Sequence, residues 1–430
     1  MNDIKLNDEQ QKVVKTLETS QENIFLTGVA GTGKSTVINY FLQHTKKRLA
    51  KLASTGAAAD NIEGSTIHNY FKLPYNYLNE EILLFVDENL QNKLKNIDAI
   101  LIDEISMVNA YTFTIIDKIL RKSLNNNNVF GGLQVIVTGD FCQLKIGYRA
   151  DSIQGQFCEK HGGIYAFNSQ AWQEAKFKCL NLETIHRQGD VKFKELLNRV
   201  RKGADYLTNH DLEWLNQRHK PFDGRFVDKT ILCTLNKTVK YYQKITSIPL
   251  SKRKSHEYIA FKTDNFTGKL PMPKKVKLMQ FQRVMLTKNI YFDDKLIPNG
   301  ALGTVVDLSP DSVMVKFDNI FNYVEIYNEV WQNDLMTISE DNRVREQAMV
   351  GYFKQIPLTP ANVITIHKSQ GKTLNKIHII NDKLFTSYQL YTALSRAQRL
   401  EDITLEFPVT REQFITNKEV IKFYNKLNQN

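Results

Sequence analysis

Cysteine, long apolar runs and targeting signals are scarce or missing in this chain of 430 residues. Its four cysteines form no C-x-x-C pair, so neither a zinc ribbon nor a disulfide framework is expected, and a reducing cytosol fits the composition. Apolar runs are too short to cross a bilayer, so no membrane partner is expected. The first nine residues contain acids and lack a basic segment followed by an apolar one, which argues against a signal or transit peptide.

Composition is that of a folded, basic, multidomain protein. The length suggests about three domains. A hydrophobic fraction of 42% is enough for packed cores. The net charge of +11 suits a polyanionic partner, although charge alone does not separate nucleic-acid binders from other basic proteins.

A glycine-rich segment from Gly28 to Ser35 fits the phosphate-loop pattern G-x-x-x-x-G-K-[ST]. Its glycines let backbone N–H groups close around phosphate oxygens, Lys34 reaches the β- and γ-phosphates, and Ser35 offers its hydroxyl to Mg²⁺. A short apolar strand is predicted before the loop and a helix after it, which aims the positive end of the helix dipole at the phosphates. The alternative is a glycine-rich turn with a chance lysine, but the strand–loop–helix order favours nucleoside triphosphate binding.

Short apolar strands alternate with helices in the first half of the chain. The predicted strands are Ile24–Thr27, Lys51–Ser54, Ala99–Ile102 and Gln134–Thr138, and the predicted helices are Ser35–His44, Thr112–Ser123 and Ser169–Ala175. This alternation predicts an α/β fold with a parallel sheet covered by helices. Ligands of such sheets bind outside the carboxyl ends of the strands, where the motifs of this chain also fall.

The second half combines a further α/β segment with a β-rich one. A strand at 229–234 and a helix at 236–246 are predicted first. Four short strands separated by turn residues then follow between residues 284 and 327, and α/β character returns at 361–366. The pattern predicts a small antiparallel β module inserted into a second α/β unit.

Candidate hydrolytic side chains follow two of the predicted strands. Asp103 and Glu104 end the apolar strand that begins at Ala99, where Asp103 is expected to bind Mg²⁺ and Glu104 to orient or deprotonate the attacking water. An Asp-Glu pair on its own is more often a solvated strand end. Gln143 follows Gly139 and Asp140, but a lone glutamine there is uninformative.

Two arginines are candidates for stabilising transition-state charge. Arg187 lies in the segment Leu182–Gln188, and Arg396 lies in the segment Leu390–Ala397. A guanidinium that reaches the γ-phosphate increases the rate of other nucleotide hydrolases by about 10³–10⁵. Spacing alone does not distinguish this role from a salt bridge between domains.

Taken in order, these segments resemble the motifs of superfamily-one DNA helicases, and specifically those of the Pif family, which is related to RecD-like and Dda helicases. The segments that carry the resemblance are Leu6–Gln10, the phosphate loop, Ser54–Ala59, Gly64–Phe71, Asp103-Glu104, Gly139–Leu144, Phe167–Gln188, Ile364–Leu374 and Leu390–Ala397. One departure is Gln143-Leu144-Lys145-Ile146, where the family often has Gln-Leu-Pro-Pro. The departure affects the expected shape of the following loop and not the role of Gln143.

The resemblance implies a role for each matching residue. Catalytic roles fall on Lys34, Asp103, Glu104, Gln143, Arg187 and Arg396, with Gln143 sensing the γ-phosphate. ATP contacts fall on Gln10, Gly28, Gly31, Thr32, Gly33, Lys34, Ser35, Thr36 and Gly371, and Mg²⁺ ligands are Ser35 and Asp103. DNA contacts fall on Thr55, Gly56, Thr66, His68, Asn69, Phe71, Asn236, Thr365, His367, Lys368 and Ser369. Phe71 is equally compatible with a place in the core.

A domain plan also follows from the resemblance. It implies two RecA-like parallel-sheet domains, the first formed by 1–72 and 96–186 and the second by 187–302 and 360–430. A small wedge insertion is expected at 73–95 and an SH3-like β insertion at 303–359. The chain lacks the long extensions of eukaryotic members, and a minimal bacterial or phage core is expected.

The implied activity is ATP-dependent, 5′-to-3′ unwinding of DNA by a monomer that binds single strands and single-strand–duplex junctions. Roles in DNA repair, recombination and telomere maintenance are implied with it, as is a cytoplasmic, nucleoid-associated location. The family also acts on G-quadruplexes and RNA–DNA hybrids, although no residue here encodes either preference. Three alternatives stay open: a single-strand translocase, an RNA-directed helicase and a nucleotide-switched DNA-binding protein. The complete hydrolytic set argues against the last.

Overall fold

The computed structural model describes residues 6–73, 88–145, 152–160, 163–223, 229–250, 252–266, 270–293, 295–297, 299–318, 320–338 and 345–427. The chain divides into two compact units, which are Met1–Pro221 with Ile366–Asn430 and Phe222–Thr365. The predicted domain ranges, which group 187–302 with 360–430, stay a prediction. Most of the predicted wedge lies outside the described residues, and its remainder is helical from Glu88 to Lys95.

The first unit begins with a doubly covered α/β arrangement. Its helices are α1 Asp8–Thr19, α2 Lys34–His44, α3 Gly56–Asn61, α4 Ile67–Tyr70, α5 Glu88–Lys95, α6 Ala110–Leu124, α7 Ile153–Lys160, α8 Gln170–Ala175, α9 Val191–Lys202 and α10 Asn209–Asn216. Its strands are β1 Ile24–Gly28, β2 Leu49–Ala53, β3 Ser65–Thr66, β4 Ala99–Asp103, β5 Gln134–Thr138 and β6 Lys178–Leu182. The four strands predicted from the sequence are therefore confirmed, with ends that differ by at most two residues.

The six strands form one parallel sheet in the order β3-β2-β4-β5-β1-β6. β1 is buried along its whole length, as expected for an apolar strand covered on both faces. Because the strands are parallel, their carboxyl ends lie on one edge of the sheet. This edge carries Gly28, Asp103 and Thr138, so the motifs that follow these residues are brought together.

Two hydrophobic clusters lie against this sheet. One contains Leu17 of α1, Ile38 and Phe41 of α2 and apolar residues of the central strands, all at most 1% exposed. A second, aromatic cluster brings Phe25 of β1 within 5.5 Å of Phe141 between ring centroids. These contacts hold the strand that leads into the phosphate loop on both sides.

The second unit is largely antiparallel β structure. Its elements are β7 Thr230–Cys233, α11 Asn236–Ser247, β8 Ser255–Ile259, β9 Phe261–Lys262, β10 Lys275–Met279, β11 Arg283–Leu286, β12 Ile290–Phe292, β13 Lys295–Ile297, β14 Leu302–Leu308, β15 Ser312–Phe317, β16 Tyr323–Tyr327, β17 Glu329–Ile338, β18 Arg345–Gln355, β19 Leu358–Pro360 and β20 Val363–Thr365. Five of the strands form an antiparallel sheet in the order β16-β15-β14-β11-β19. The four short strands predicted between residues 284 and 327 are thereby confirmed. β7 pairs in parallel with β20, so this unit also contains the predicted α/β segment.

The chain then returns to the first unit. The returning elements are α12 Ile366–Ser369, β21 Ile377–Ile379, α13 Gln389–Leu394, β22 Ile403–Leu405 and α14 Lys418–Leu427. β21 and β22 pair in parallel. Among the described residues, no helix is both long and apolar enough to cross a membrane. The same residues contain no group of three or more His, Cys, Asp or Glu side chains arranged to hold a metal ion.

Candidate nucleotide site

A cavity of about 350 Å³ opens at the carboxyl edge of the parallel sheet. Its lining contains all six predicted catalytic residues: Lys34, Asp103, Glu104, Gln143, Arg187 and Arg396. Five predicted nucleotide contacts, Gly31, Gly33, Ser35, Thr36 and Gly371, line it as well. Residues as far apart in the sequence as Ala30 and Gln398 thus surround one space inside a single compact unit.

The glycines of the loop are required by its backbone geometry. Gly31 and Gly33 have φ angles of 90° and 85°, in the left-handed region that strains other residues. A Cβ atom on Gly31 would lie 2.7 Å from Gln188 Oε1, and one on Gly33 would lie 2.6 Å from Gln10 Nε2. Gly33 is also the N-cap of α2, so the loop runs directly into the positive end of the helix.

Lys34 is held by the loop itself in this structure. Its Nζ donates to the carbonyl oxygens of Gly28 at 2.8 Å and Val29 at 3.2 Å. Burial lowers the pKa of Lys34, while the charges of Asp140 and Glu104 act in the opposite direction. The ammonium group is thus kept at the mouth of the loop, beside the carboxylates.

Asp103 and Glu104 end β4 beside the loop. The backbone N–H of Glu104 donates to Asp103 Oδ1 at 2.8 Å, and Gln370 Nε2 donates to Glu104 Oε2 at 3.0 Å. Burial and the Glu104 charge raise the pKa of Asp103 to about 7. Asp103 and Glu104 are adjacent, partly buried carboxylates near the Ser35 hydroxyl. Together these groups form a set of hard oxygen donors that fits Mg²⁺.

Gln143 lies in a tight turn after β5. Its N–H donates to the Asp140 carbonyl at 2.9 Å, and its side chain is 7% exposed. Asp140 is 1% exposed, and its Oδ1 accepts from Arg201 Nη2 at 2.9 Å and from the Cys142 N–H at 3.0 Å. Asp140 therefore shapes the turn that presents Gln143 to the cavity. Ile146, part of the departure noted in the sequence, lies outside the described residues.

Arg187 and Arg396 line the other side of the cavity. Arg187 Nη1 donates to the Ser395 carbonyl at 3.1 Å, next to Arg396. Arg396 is 1% exposed, and its Nε donates to the Thr392 carbonyl at 2.8 Å. Burial, followed by the charge of Arg187, lowers the pKa of Arg396 to about 9. Because the guanidinium groups of Arg187 and Arg396 lie side by side and are desolvated, they would stabilise an anion bound beside them.

Three predicted nucleotide contacts lie behind this lining. The Gln10 side chain completes the capping box of α1 with Asn7, and its Nε2 lies 3.4 Å from the Thr32 carbonyl. Thr32 Oγ1 donates to the Val29 carbonyl at 3.0 Å. A Cβ on Gly28 would lie 2.6 Å from the Leu182 carbonyl. In this structure these three residues support the shape of the loop, and their predicted contacts with ATP stay a prediction.

The predicted DNA contacts of the first half lie after β2 and β3. Thr55 and Thr66 are the N-caps of α3 and α4, where their hydroxyl oxygens accept from the N–H groups of Ala58 and Asn69. A hydroxyl that accepts in this way also carries a proton that it can donate to a phosphate oxygen. Gly56 begins α3, Asn69 is exposed, and burial lowers the pKa of His68. Phe71 is only 2% exposed, which favours the core alternative over base stacking.

The remaining DNA candidates fall in both units. Asn236 is exposed at the start of α11, and Thr365, at the end of β20, is 8% exposed. On α12, Lys368 is exposed and His367 is half-buried, whereas Ser369 is fully buried with its hydroxyl donating to the Ile366 carbonyl at 2.7 Å. Lys368 is therefore the best placed of these residues to meet a phosphate.

Several residues of the site were given no role from the sequence. Gln370 contacts Glu104, and the Tyr391 hydroxyl accepts from the Ala30 N–H of the phosphate loop at 3.0 Å. The cavity lining also includes His186, Thr373 and Gln398. Gln370 and Tyr391 fall inside recognised motifs, but only the folded chain shows that they contact Glu104 and the phosphate loop.

Comparison with known proteins gives a consistent family. A family model described as PIF1-like helicase matches residues 5–211. Over 439 residues the chain is 30% identical to the ATP-dependent DNA helicase PIF1 of Xenopus laevis, covering 99% of this chain and 65% of that protein. The chain thus spans just under two thirds of the length of that relative.

Solved structures cover the chain more completely. The structure of Bacteroides sp Pif1 in complex with ADP-AlF4 is 30% identical, covers 99% of this chain and 98% of its own, and has a TM-score of 0.78. The structure of Bacteroides Pif1 with ADP-AlF3 and ssDNA is 29% identical over the same shares, with a TM-score of 0.79. This likeness confirms the predicted α/β fold class with RecA-like domains.

Proposed function

Because the chain belongs to the PIF1-like helicase family, we propose that it is an ATP-dependent DNA helicase. The observation that carries the proposal is the single cavity in which the phosphate loop, two carboxylates, a glutamine and two arginines converge. Phosphoryl transfer needs this combination of positioning and charge stabilisation more than covalent help. A protein that only switches with bound nucleotide has no need of the full set.

Within this cavity each side chain has a role that its position supports. Backbone N–H groups of the loop and the N-terminus of α2 bind the phosphates, and Lys34 exchanges its carbonyl partners for phosphate oxygens. Glu104, oriented by Gln370, positions the attacking water and accepts its proton. Arg187 and Arg396 neutralise the charge that develops on the γ-phosphate, and Gln143 senses that phosphate.

Mg²⁺ is the metal that the oxygen donors fit. Ser35 and Asp103 would hold it, and the ion would neutralise charge on the β- and γ-phosphates. Burial and the Glu104 charge both raise the pKa of Asp103, and a bound cation would favour its ionised form.

DNA is the proposed polymer, bound as a single strand by the hydroxyl, histidine and lysine side chains placed after β2, β3 and β20. One of the similar structures is of Bacteroides Pif1 with ssDNA, which supports this choice. We further propose 5′-to-3′ movement by a monomer at single-strand–duplex junctions, a direction that rests on family membership alone. Contacts with phosphates and base faces carry no sequence information, so binding is expected at any sequence.

Unwinding of tailed duplexes tests the proposal. Duplexes with a 5′ tail are expected to separate with ATP and Mg²⁺, whereas 3′-tailed and blunt duplexes stay intact. Lys34→Ala is expected to abolish unwinding, and Lys12→Ala, on the exposed side of α1, to retain it. Equal separation of both tailed duplexes would contradict the direction, and full activity of Lys34→Ala would contradict the site.

A further inference from the structure

Tyr424, on the last described helix α14, contacts residues that lead into the nucleotide cavity. Its hydroxyl donates to Asp140 Oδ1 at 3.1 Å, accepts from the Phe141 N–H at 3.1 Å and pairs with Thr27 Oγ1 at 3.0 Å. Thr27 lies near the end of β1, and Asp140 and Phe141 follow the end of β5, the neighbouring strand of the parallel sheet. One hydroxyl therefore ties two strand ends together.

Both strand ends lead directly into the cavity. Thr27 precedes Gly28, the first residue of the phosphate loop, while Asp140 and Phe141 begin the turn that contains Gln143. The Asp140 carbonyl also accepts the Gln143 N–H at 2.9 Å. A displacement of Asp140 is therefore transmitted to Gln143 through the backbone of one turn.

Asp140 depends strongly on this arrangement. It is 1% exposed, and its Oδ1 accepts the bonds from Tyr424, Arg201 and Cys142, whereas within the described part of the chain its Oδ2 has no hydrogen-bond partner. The Arg201 guanidinium also lies 4.8 Å from the centroid of the Tyr424 ring. Loss of the hydroxyl would leave the buried Asp140 carboxylate and the Phe141 N–H each short of one partner, which is costly for groups inside a protein.

The ring of Tyr424 has separate packing contacts. Besides Arg201, it lies 5.5 Å from Phe423, whose own ring stacks on Phe167 at 4.3 Å. A Tyr-to-Phe change keeps these contacts and removes only the hydroxyl. This substitution therefore separates the effect of the hydrogen bonds from the effect of ring packing.

We propose that Tyr424 is a positioning residue for ATP hydrolysis, through which α14 fixes the phosphate loop and Gln143 relative to each other. The inference rests on the proposed function. A group that aligns the γ-phosphate sensor with the loop acts on the transition state more than on nucleotide binding. Loss of the Tyr424 hydroxyl should therefore lower kcat and leave KM for ATP nearly unchanged.

The test compares Tyr424→Phe with Tyr258→Phe. Tyr258 is 3% exposed, and its hydroxyl donates to the carbonyls of Ser309 and Ser312, within the other compact unit. Each variant thus loses one hydroxyl that is hydrogen-bonded within the protein, but only the Tyr424 hydroxyl contacts residues at the edge of the cavity. Steady-state ATP hydrolysis with saturating single-stranded DNA is measured for both variants and the parent, together with their thermal midpoints.

Tyr424→Phe is expected to lower kcat by about tenfold with KM for ATP changed less than about twofold. Tyr258→Phe is expected to keep kcat at the parent value. Unchanged kcat in Tyr424→Phe, or an equal loss in the two variants, would overturn the proposal.

Hydrogen–deuterium exchange gives a readout that does not require turnover. Faster exchange is expected in Tyr424→Phe at residues 139–145, where the Phe141 amide loses its acceptor, and not in Tyr258→Phe. Parent-like exchange in Tyr424→Phe would count against the positioning role. A parent protein that fails to hydrolyse ATP would instead contradict the proposed function, so the two failures are distinguishable.

Discussion

Glu104 adopts a left-handed backbone conformation, with φ of 53°, at the end of β4. For a residue other than glycine this conformation costs about 1–3 kcal/mol, and it persists only where surrounding contacts hold it. Here the Asp103 carboxylate accepts the Glu104 N–H, and Gln370 binds the Glu104 carboxylate. The strain therefore points the side chain into the cavity, where a residue that positions water has to be.

Replacing Glu104 by Gln should separate binding from chemistry. Glutamine keeps the size of the side chain and the contact with Gln370, but it cannot accept a proton from water. Hydrolysis is expected to fall by about 10²–10⁴-fold, with nucleotide affinity nearly unchanged, as measured by turnover assay and by titration with a fluorescent nucleotide. Glu63→Gln is the matched control, since Glu63 also has a positive φ of 49° but is exposed outside the cavity lining. Normal turnover of Glu104→Gln would remove Glu104 from its proposed role.

At the level of elements, the phosphate loop is shaped by the segment that follows β6. The carbonyl of Gly31 accepts the N–H groups of His186 and Arg187, at 2.8 Å and 3.1 Å. This approach leaves no room for a side chain at Gly31, where a Cβ would lie 2.8 Å from Arg187 Cβ. The loop and the arginine segment are therefore fixed to each other as one structural unit.

The change Gly31→Ala should destabilise this contact. Both the positive φ and the close approach oppose a methyl group, so a loss of about 1–3 kcal/mol in the free energy of unfolding is expected. Urea unfolding measures the loss, and weaker nucleotide binding should accompany it. Gly189→Ala is the control, because a Cβ there has nothing within 4 Å. Equal stability of the two variants would show that the loop accommodates a methyl group at Gly31, which would contradict the prediction.

Elements of this size were largely predictable from the sequence. Apolar runs such as Ala99–Asp103 and Gln134–Thr138 are buried strands, and the glycine spacing located the turn between β1 and α2. Phe71 was not decided, because an aromatic residue after a short helix fits either a core or a stacking surface. Its burial follows from tertiary packing, which local pattern does not contain.

At the scale of the whole molecule, the sequence pattern could not predict contacts between residues that are far apart in the chain. The phosphate loop meets Tyr391 across 361 residues, and Thr27 meets Tyr424 across 397. A tyrosine in a helix is ordinarily expected to pack through its ring, so nothing local indicates that its hydroxyl reaches a nucleotide loop. The site residues predicted from the sequence were those that lie in recognised motifs, and their roles stay predictions.

The net charge of +11 leads to a prediction for DNA binding. If about four to six phosphates are neutralised, the logarithm of single-stranded DNA affinity should fall with the logarithm of salt concentration with a slope of about −3 to −4. Fluorescence anisotropy between 50 and 200 mM salt measures it, as a loss of about 60- to 250-fold. Lys368→Ala should reduce the slope by about 0.7, and Lys12→Ala should leave it unchanged. A salt-independent affinity would contradict phosphate binding.

The long sequence separation of the loop from its supports has a consequence for synthesis of the protein. At about 5–20 residues per second, a ribosome makes Tyr391 roughly 20–70 seconds after Ala30, and Tyr424 later still. During that interval the loop lacks its bond to Tyr391, and the adjacent Thr27 lacks its bond to Tyr424. We therefore expect a nascent chain to carry a recognisable nucleotide-binding motif well before it can hold a nucleotide, and ATP to add little to the stability of a chain that ends before α14.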